Sequence, residues 1–378
     1  MKVLFVATVR SHIGQFHMPF IKRLKELGCT VDGAYKDNSE LKQGLDLSLL
    51  DNVYEIGFSR SPYSADNINA YKQLKKVINS GNYDAIHCHT PMGAVVTRLA
   101  ARDARKKGTK VIYTAHGFHF YKGASSLNWK VFYPIEKALS KYTDCLILIN
   151  NEDYQLAKEK GFEAKRIIKV NGVGVNLSKF KPVSEKEKSE LRKEYGFSES
   201  DFIMIYPADF CARKNQTMLF EVMRELLKVS SSFRLLLPGS LELADEFIAN
   251  AKEMGVYDSI SFMGYRRDIE KLVALADVSV SSTRQEGLPI NIVEAMAVGN
   301  PIVATDVRGN NDLVKDGVNG YLVALNDSKA MADRLLELYN NKQLINDFGK
   351  KSIESAQLYS EEAVVPEMVK VYEELGLL

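Results

Sequence analysis

Residues 278–305 read VSVSSTRQEGLPINIVEAMAVGNPIVAT. An apolar run at 278–281 gives way to a polar loop carrying Glu286, then to an apolar helical stretch over 290–298 and a short apolar run at 302–304. A strand, a loop, a helix and a strand in that order form the repeating unit of a doubly wound, mostly parallel sheet. Pro289 stands where the first turn of a helix tolerates a residue without an N–H, so the helix is predicted to begin there.

The alternation continues outward in both directions. Further strands are predicted at 202–206, 234–237, 260–262 and 320–323, with helices near 215–228, 241–252, 268–275 and 329–340. The first half has its own set, with strands at 3–9, 30–35, 85–88, 111–114, 145–149 and 167–170. Its helices fall at 16–27, 70–79, 94–107, 128–140 and 152–160. Pro182 and the charged run 184–193 interrupt the rhythm before it restarts. A chain of 378 residues is long for one core. The predicted organisation is therefore α/β, with an N-terminal Rossmann-like domain (1–183), a C-terminal one (184–360) and a terminal amphipathic helix (361–378) packing back on the first. Ligands of such sheets sit beyond the carboxyl ends of strands, near a switch in strand order, so two facing domains would frame a cleft there.

Bulk properties remove several function classes. Hydrophobic residues make up 46% and charged residues 26%, a globular balance. The opening MKVLFVATV is too short for a membrane span and lacks a cleavage site, so it reads as a buried strand of a cytoplasmic protein. Cys29, Cys88, Cys145 and Cys211 show no paired spacing and are expected to be reduced core thiols. In His87-Cys88-His89 a strand would put the histidines on one face and the thiol on the other. No second ligand pair follows at a zinc spacing, so a polar strand tip is expected rather than a metal site. Residues 1–180 carry 27 basic and 16 acidic side chains, hence +11, and the net +2 leaves −9 for the remainder. The basic half points to an anionic partner such as a phospholipid surface or phosphorylated acceptor; solvated charge without a partner explains it too.

The residues with chemistry fall after predicted strands. A helix beginning at Pro289-Ile290 offers unpaired backbone N–H groups beside Gly287 and Leu288, a natural seat for a diphosphate. Glu294, one turn in, can accept two hydrogen bonds from a vicinal diol such as ribose, and Glu286 can reach hydroxyls beyond the phosphates. Arg213 and Lys214 end a loop at the start of another helix, where two cations balance an anionic leaving group. In the first half, Gly14 lies in a segment with His12 and His17 after the first strand, where glycine permits close backbone approach. His116 and His119 follow the strand at 111–114.

The Glu286–Glu294 spacing and the trailing EAMAVGNPIVATDVRGN resemble the signature of retaining glycosyltransferases of family four, with the GT-B fold. The likeness continues through Gly264-Tyr-Arg-Arg-Asp268, Ala276-Asp277 and the segment Val314–Gly320. It implies that Glu286 contacts the donor sugar, Glu294 the ribose, and Tyr265 and Arg266 the base. Lys214 would meet the diphosphate, Gly14 would face the phosphates, and His116 would position the sugar. Asp209 departs from the family, where Ala208-Asp209 is most often Gly-Arg. The branch resembled makes bacterial capsule and exopolysaccharide, with His12, His17 and His119 toward the acceptor. The expected donor is a nucleotide sugar, taken as a uridine diphosphate hexose or N-acetylhexosamine. The expected acceptor is a lipid-linked saccharide, at the inner face of the membrane. Without an Asp-x-Asp motif, metal-independent, same-face chemistry with no cofactor is implied.

Aromatic residues from Phe118 to Tyr133, interspersed with Lys122, Lys130, Lys137 and Lys141, suit either an anionic membrane interface or ordinary core packing. Four other readings fit less well. A sugar-nucleotide 2-epimerase would bind the same donor but needs acid–base groups around C2. A two-domain solute-binding protein would need secretion, and a dinucleotide dehydrogenase lacks Gly-x-Gly-x-x-Gly. Nucleic-acid binding leaves Glu286 and Glu294 unexplained.

Overall fold

Strand β8 (Phe202–Ile205) shows how the apolar runs are used. Phe202 and Met204 point into one hydrophobic cluster while Ile203 and Ile205 point into another. A sheet buried on both faces explains why its strands are continuously apolar rather than alternating. The computed structural model describes residues 1–40 and 44–378.

Two compact units emerge, Met1–Gly174 with Glu361–Leu378, and Val175–Ser360. The first contains β1 (Lys2–Val9), β2 (Thr30–Lys36), β3 (Val53–Glu55), β4 (Ala85–His89), β5 (Lys110–Ala115), β6 (Cys145–Leu148) and β7 (Arg166–Lys169). These form a parallel seven-stranded sheet in the order β3-β2-β1-β4-β5-β6-β7. The order reverses between β1 and β4. The second unit continues from β8 with β9 (Phe233–Pro238), β10 (Ile260–Gly264), β11 (Val278–Ser281), β12 (Ile302–Thr305) and β13 (Gly320–Val323). Its parallel order is β10-β9-β8-β11-β12-β13, with the reversal between β8 and β11. Both are doubly wound Rossmann-like sheets.

Several expectations need adjustment. The short edge strand Val53–Glu55 and the helix Lys342–Ala356 were not foreseen. The charged run after Pro182 is a helix, Glu185–Glu194, started by a reciprocal Ser184–Glu187 capping box. The division between units falls after Gly174 rather than after 183. Val175 and Phe180 pack into the second unit's core, and Val175 bridges to Ser360, which draws this stretch across. The C-terminal helix Glu361–Glu374 belongs with the first unit. There the Tyr372 hydroxyl bonds His87 Nδ1 at 2.9 Å, and the Tyr372 ring meets Phe20 edge-on.

Two family-like segments act as scaffold. Asp277 accepts from Arg192, Lys188 and the Ile203 N–H, tying the capped helix to β8. At Gly320 a Cβ would fall 1.9 Å from the Ile302 carbonyl oxygen, so only glycine lets β12 and β13 pair. The aromatic stretch resolves toward packing. Phe118 and Phe120 are buried, and Trp129, Phe132 and Tyr133 lie against the same core. The strand tip at His87-Cys88-His89 is fully buried rather than emergent, because helix Glu361–Glu374 covers His87 and further histidines surround His89.

Candidate active site

In the second unit the loops after β8 and β11 rise side by side at the reversal of strand order, the place where ligands of such sheets bind. The β8 loop carries Arg213 and Lys214, and the β11 loop carries Glu286. One carboxylate oxygen, Glu286 Oε1, accepts from Lys214 Nζ at 2.7 Å, Arg213 Nη1 at 2.9 Å and Thr283 Oγ1 at 2.9 Å. Burial pushes the Glu286 pKa up, but Lys214 and Arg213 outweigh it, and the carboxyl stays below its usual range. Glu286 is therefore an ionised, positioned acceptor. The Arg213–Lys214 pair, expected to stand ready for a diphosphate, is engaged with it.

Backbone contacts fix this loop. Arg308 Nε donates to the Glu286 carbonyl at 2.8 Å, and the Glu286 N–H donates to the Arg308 carbonyl. Gly309, at φ +85°, comes so close that a Cβ would stand 2.9 Å from both Glu286 Cβ and the Gly287 oxygen. Thr283, Arg308 and Gly309 were not singled out from sequence. Thr283 could have been, lying three residues before Glu286 in the same loop.

Gly287 and Leu288 lead to Pro289, which is the N-cap of helix Ile290–Val298 rather than its first residue. Asn291 Nδ2 holds this helix start to the Pro207 carbonyl of the β8 loop at 3.1 Å. Glu294, one turn in, has a pKa raised to about 7 by burial; Lys179 opposes the rise and Glu270 adds a smaller push. Tyr265 is exposed after β10, while Arg266 is held by Asp268, with Nε to Oδ1 at 2.8 Å. Asp209 receives the Ser240 N–H at 2.9 Å, which gives this departure from the family a local structural use.

In the first unit, residues after β1, at the tip of β4 and after β5 converge. The His17 and His89 rings stack at 3.7 Å, and His12 meets His116 edge-on at 4.5 Å. Burial, and then neighbouring imidazoles, keep His12, His17 and His89 well below the ordinary pKa, and burial takes His116 to about 4. All four are neutral near pH 7. His119 stands apart from this group, stacked on Phe132. Gly14 is not in a loop. It lies in helix Arg10–Phe16, where a Cβ would meet Leu45 and Leu47 at 3.0–3.2 Å, so its small size serves packing within this unit.

Among known proteins, residues 187–355 match the family model "Glycosyl transferases group 1" and residues 2–150 match "Glycosyl transferase 4-like". The "Putative glycosyltransferase EpsD" of Bacillus subtilis (strain 168) is 43% identical over 98% of this chain and 96% of its own. An Escherichia coli UDP-Gal:alpha-D-GlcNAc-diphosphoundecaprenol alpha-1,3-galactosyltransferase is 28% identical over 73% of this chain and 70% of its own. An N,N'-diacetylbacillosaminyl-diphospho-undecaprenol alpha-1,3-N-acetylgalactosaminyltransferase of Campylobacter jejuni is 25% identical, covering 99% of this chain and 98% of its own. Of solved structures, Anabaena HepE in complex with UDP and glucose superposes with a TM-score of 0.81 at 20% identity, over 99% of this chain and 100% of that one. The chain belongs to the group 1, family-four-like glycosyltransferases, with the GT-B fold.

Proposed function

We propose that the chain transfers a hexose or N-acetylhexosamine, with retention, from a uridine diphosphate sugar to a saccharide carried on a lipid diphosphate. The observation that carries this reading is the Glu286 carboxylate, held ionised by Lys214, Arg213 and Thr283 beside the start of a helix. The two undecaprenol-dependent relatives supply the donor and acceptor classes.

In this reading the diphosphate sits at the N-terminus of helix Ile290–Val298, against the N–H groups beyond Gly287 and Leu288, with Lys214 and Arg213 as countercharge. Glu294 accepts from the ribose diol, Tyr265 and Arg266 flank the base, and Glu286 bonds hydroxyls of the sugar. His116 completes the sugar's contacts, while His12, His17 and His119 serve the acceptor. As the glycosidic oxygen leaves, its phosphate takes the acceptor's proton on the same face, so no resident metal, cofactor or separate base takes part. Working on a lipid-linked acceptor would bring the basic N-terminal half to the anionic inner face of the membrane. Among the described residues no helix is long and apolar enough to cross it.

The test is transfer from a panel of UDP-sugars to an undecaprenyl-diphosphate-linked acetamido sugar. One donor should give an α-linked product, at a rate that Mg²⁺ or Mn²⁺ does not raise. Donor conversion without acceptor would favour the epimerase and contradict the proposal. Flotation with anionic vesicles should bring the protein upward in a salt-sensitive manner; equal recovery with neutral vesicles would remove the membrane part.

A further inference from the structure

The histidines of the first unit are gathered more tightly than hydrogen bonding among themselves explains. One ring nitrogen from each of His12, His17, His89 and His116 lies within 4.8 Å of the others. Nε2 of His12 and of His17 is buried with no hydrogen-bond partner among the protein atoms. His89 Nδ1 and His116 Nε2 stand 3.4 Å apart, close to the separation of two nitrogens on a tetrahedral ion with bonds of about 2.0–2.1 Å. The widest pair needs to close by roughly 1.5 Å to reach that geometry, a side-chain adjustment.

We propose that His12, His17, His89 and His116 form a binding site for one divalent transition-metal ion of the Zn²⁺ class. The donor set decides the class. Four imidazole nitrogens and no oxygen suit Zn²⁺, Co²⁺ or Ni²⁺ and offer nothing to Mg²⁺ or Ca²⁺, which take oxygen ligands. Sequence spacing alone conceals the site, because the ligands come from helix Arg10–Phe16 and its end, the tip of β4 and the residue after β5. An ion there would pin the segment after β1 to the two neighbouring strands, acting as a staple of the first unit. The transferase reading gives His116, His12 and His17 to the sugar and the acceptor; an ion takes one ring nitrogen of each and leaves the other for those contacts, and the test of the site does not use activity.

The full chain, without a polyhistidine tag and stripped of metal, is titrated with Zn²⁺ in competition with a chromogenic chelator. One equivalent should be held tightly, and Co²⁺ should give the visible absorption of a tetrahedral site. Zn²⁺ should raise the melting temperature and Mg²⁺ should not. His17→Gln and His89→Gln should each weaken binding at least tenfold. If circular dichroism shows either variant unfolded, His12→Gln, at a partly exposed position, takes its place. No equivalent held against the chelator, or folded variants that bind like the parent, would overturn the site.

Discussion

Glu286 and Lys214 are 72 positions apart and share a 2.7 Å ion pair. Removing the carboxylate with Glu286→Ala should lower kcat by about a hundredfold to a thousandfold or more, as for other lost transition-state contacts. Lys214→Ala should cost a similar factor while leaving Glu286 buried with one fewer countercharge. Steady-state kinetics on both variants decide this, and unchanged rates would refute their roles. Glu294 makes a pH prediction. Its folded pKa, about 7, lies above the ordinary 4.5, so the folded state keeps a proton that the unfolded chain gives up. This stabilising share is complete below pH 4.5 and is lost as pH rises through 7. Glu294→Gln should therefore be more stable than the parent at pH 8, by roughly 3 kcal/mol at most, and equal to it near pH 4. Urea unfolding at the two pH values measures the difference. Both glutamates were legible from their spacing and context. That Arg213 and Lys214 would close on Glu286 was not, because β8 and β11 become neighbours only through the sheet order.

At the level of elements, the β11 loop depends on the turn that follows β12. Gly309→Ala places a methyl group against Glu286 and Gly287 at a positive φ. It should cost about 1–2 kcal/mol, and more of the transfer activity than that loss of stability accounts for. Thermal melts and kinetics on one preparation separate the two effects, and a stable, fully active variant would contradict the constraint. Apolar runs located the strands because both faces of each sheet are covered. Strand Val53–Glu55 escaped, being three residues long and half exposed at a sheet edge. Gly14 falls before the helix that the periodicity predicts at 16–27, whereas a separate helix, Arg10–Phe16, contains it and Leu45 and Leu47 pack against it.

For the whole molecule, the division into two Rossmann-like units was readable from the repeated rhythm, whereas the return of the C-terminal helix rests on long-range packing. Val364, Met368, Val371 and Tyr372 are buried in the first unit. At about 1.5–3 kcal/mol each, their loss approaches the whole stability of a domain. Truncation after Ser360 should therefore leave the first unit unfolded by hydrogen exchange, while Tyr372→Phe, which removes the bond to His87, should cost about 1 kcal/mol. A truncated chain protected like the parent would contradict this.

In the proposed complex the second unit grips an activated sugar at both ends, ribose at Glu294 and hexose at Glu286. Calorimetric titration with UDP of the parent, Glu294→Ala and Glu286→Ala tests it most directly. Affinity should be at least tenfold weaker for Glu294→Ala, and Glu286→Ala should keep UDP binding while its transfer is lost. Parent-like affinity in Glu294→Ala, or no binding of UDP to the parent, would contradict it.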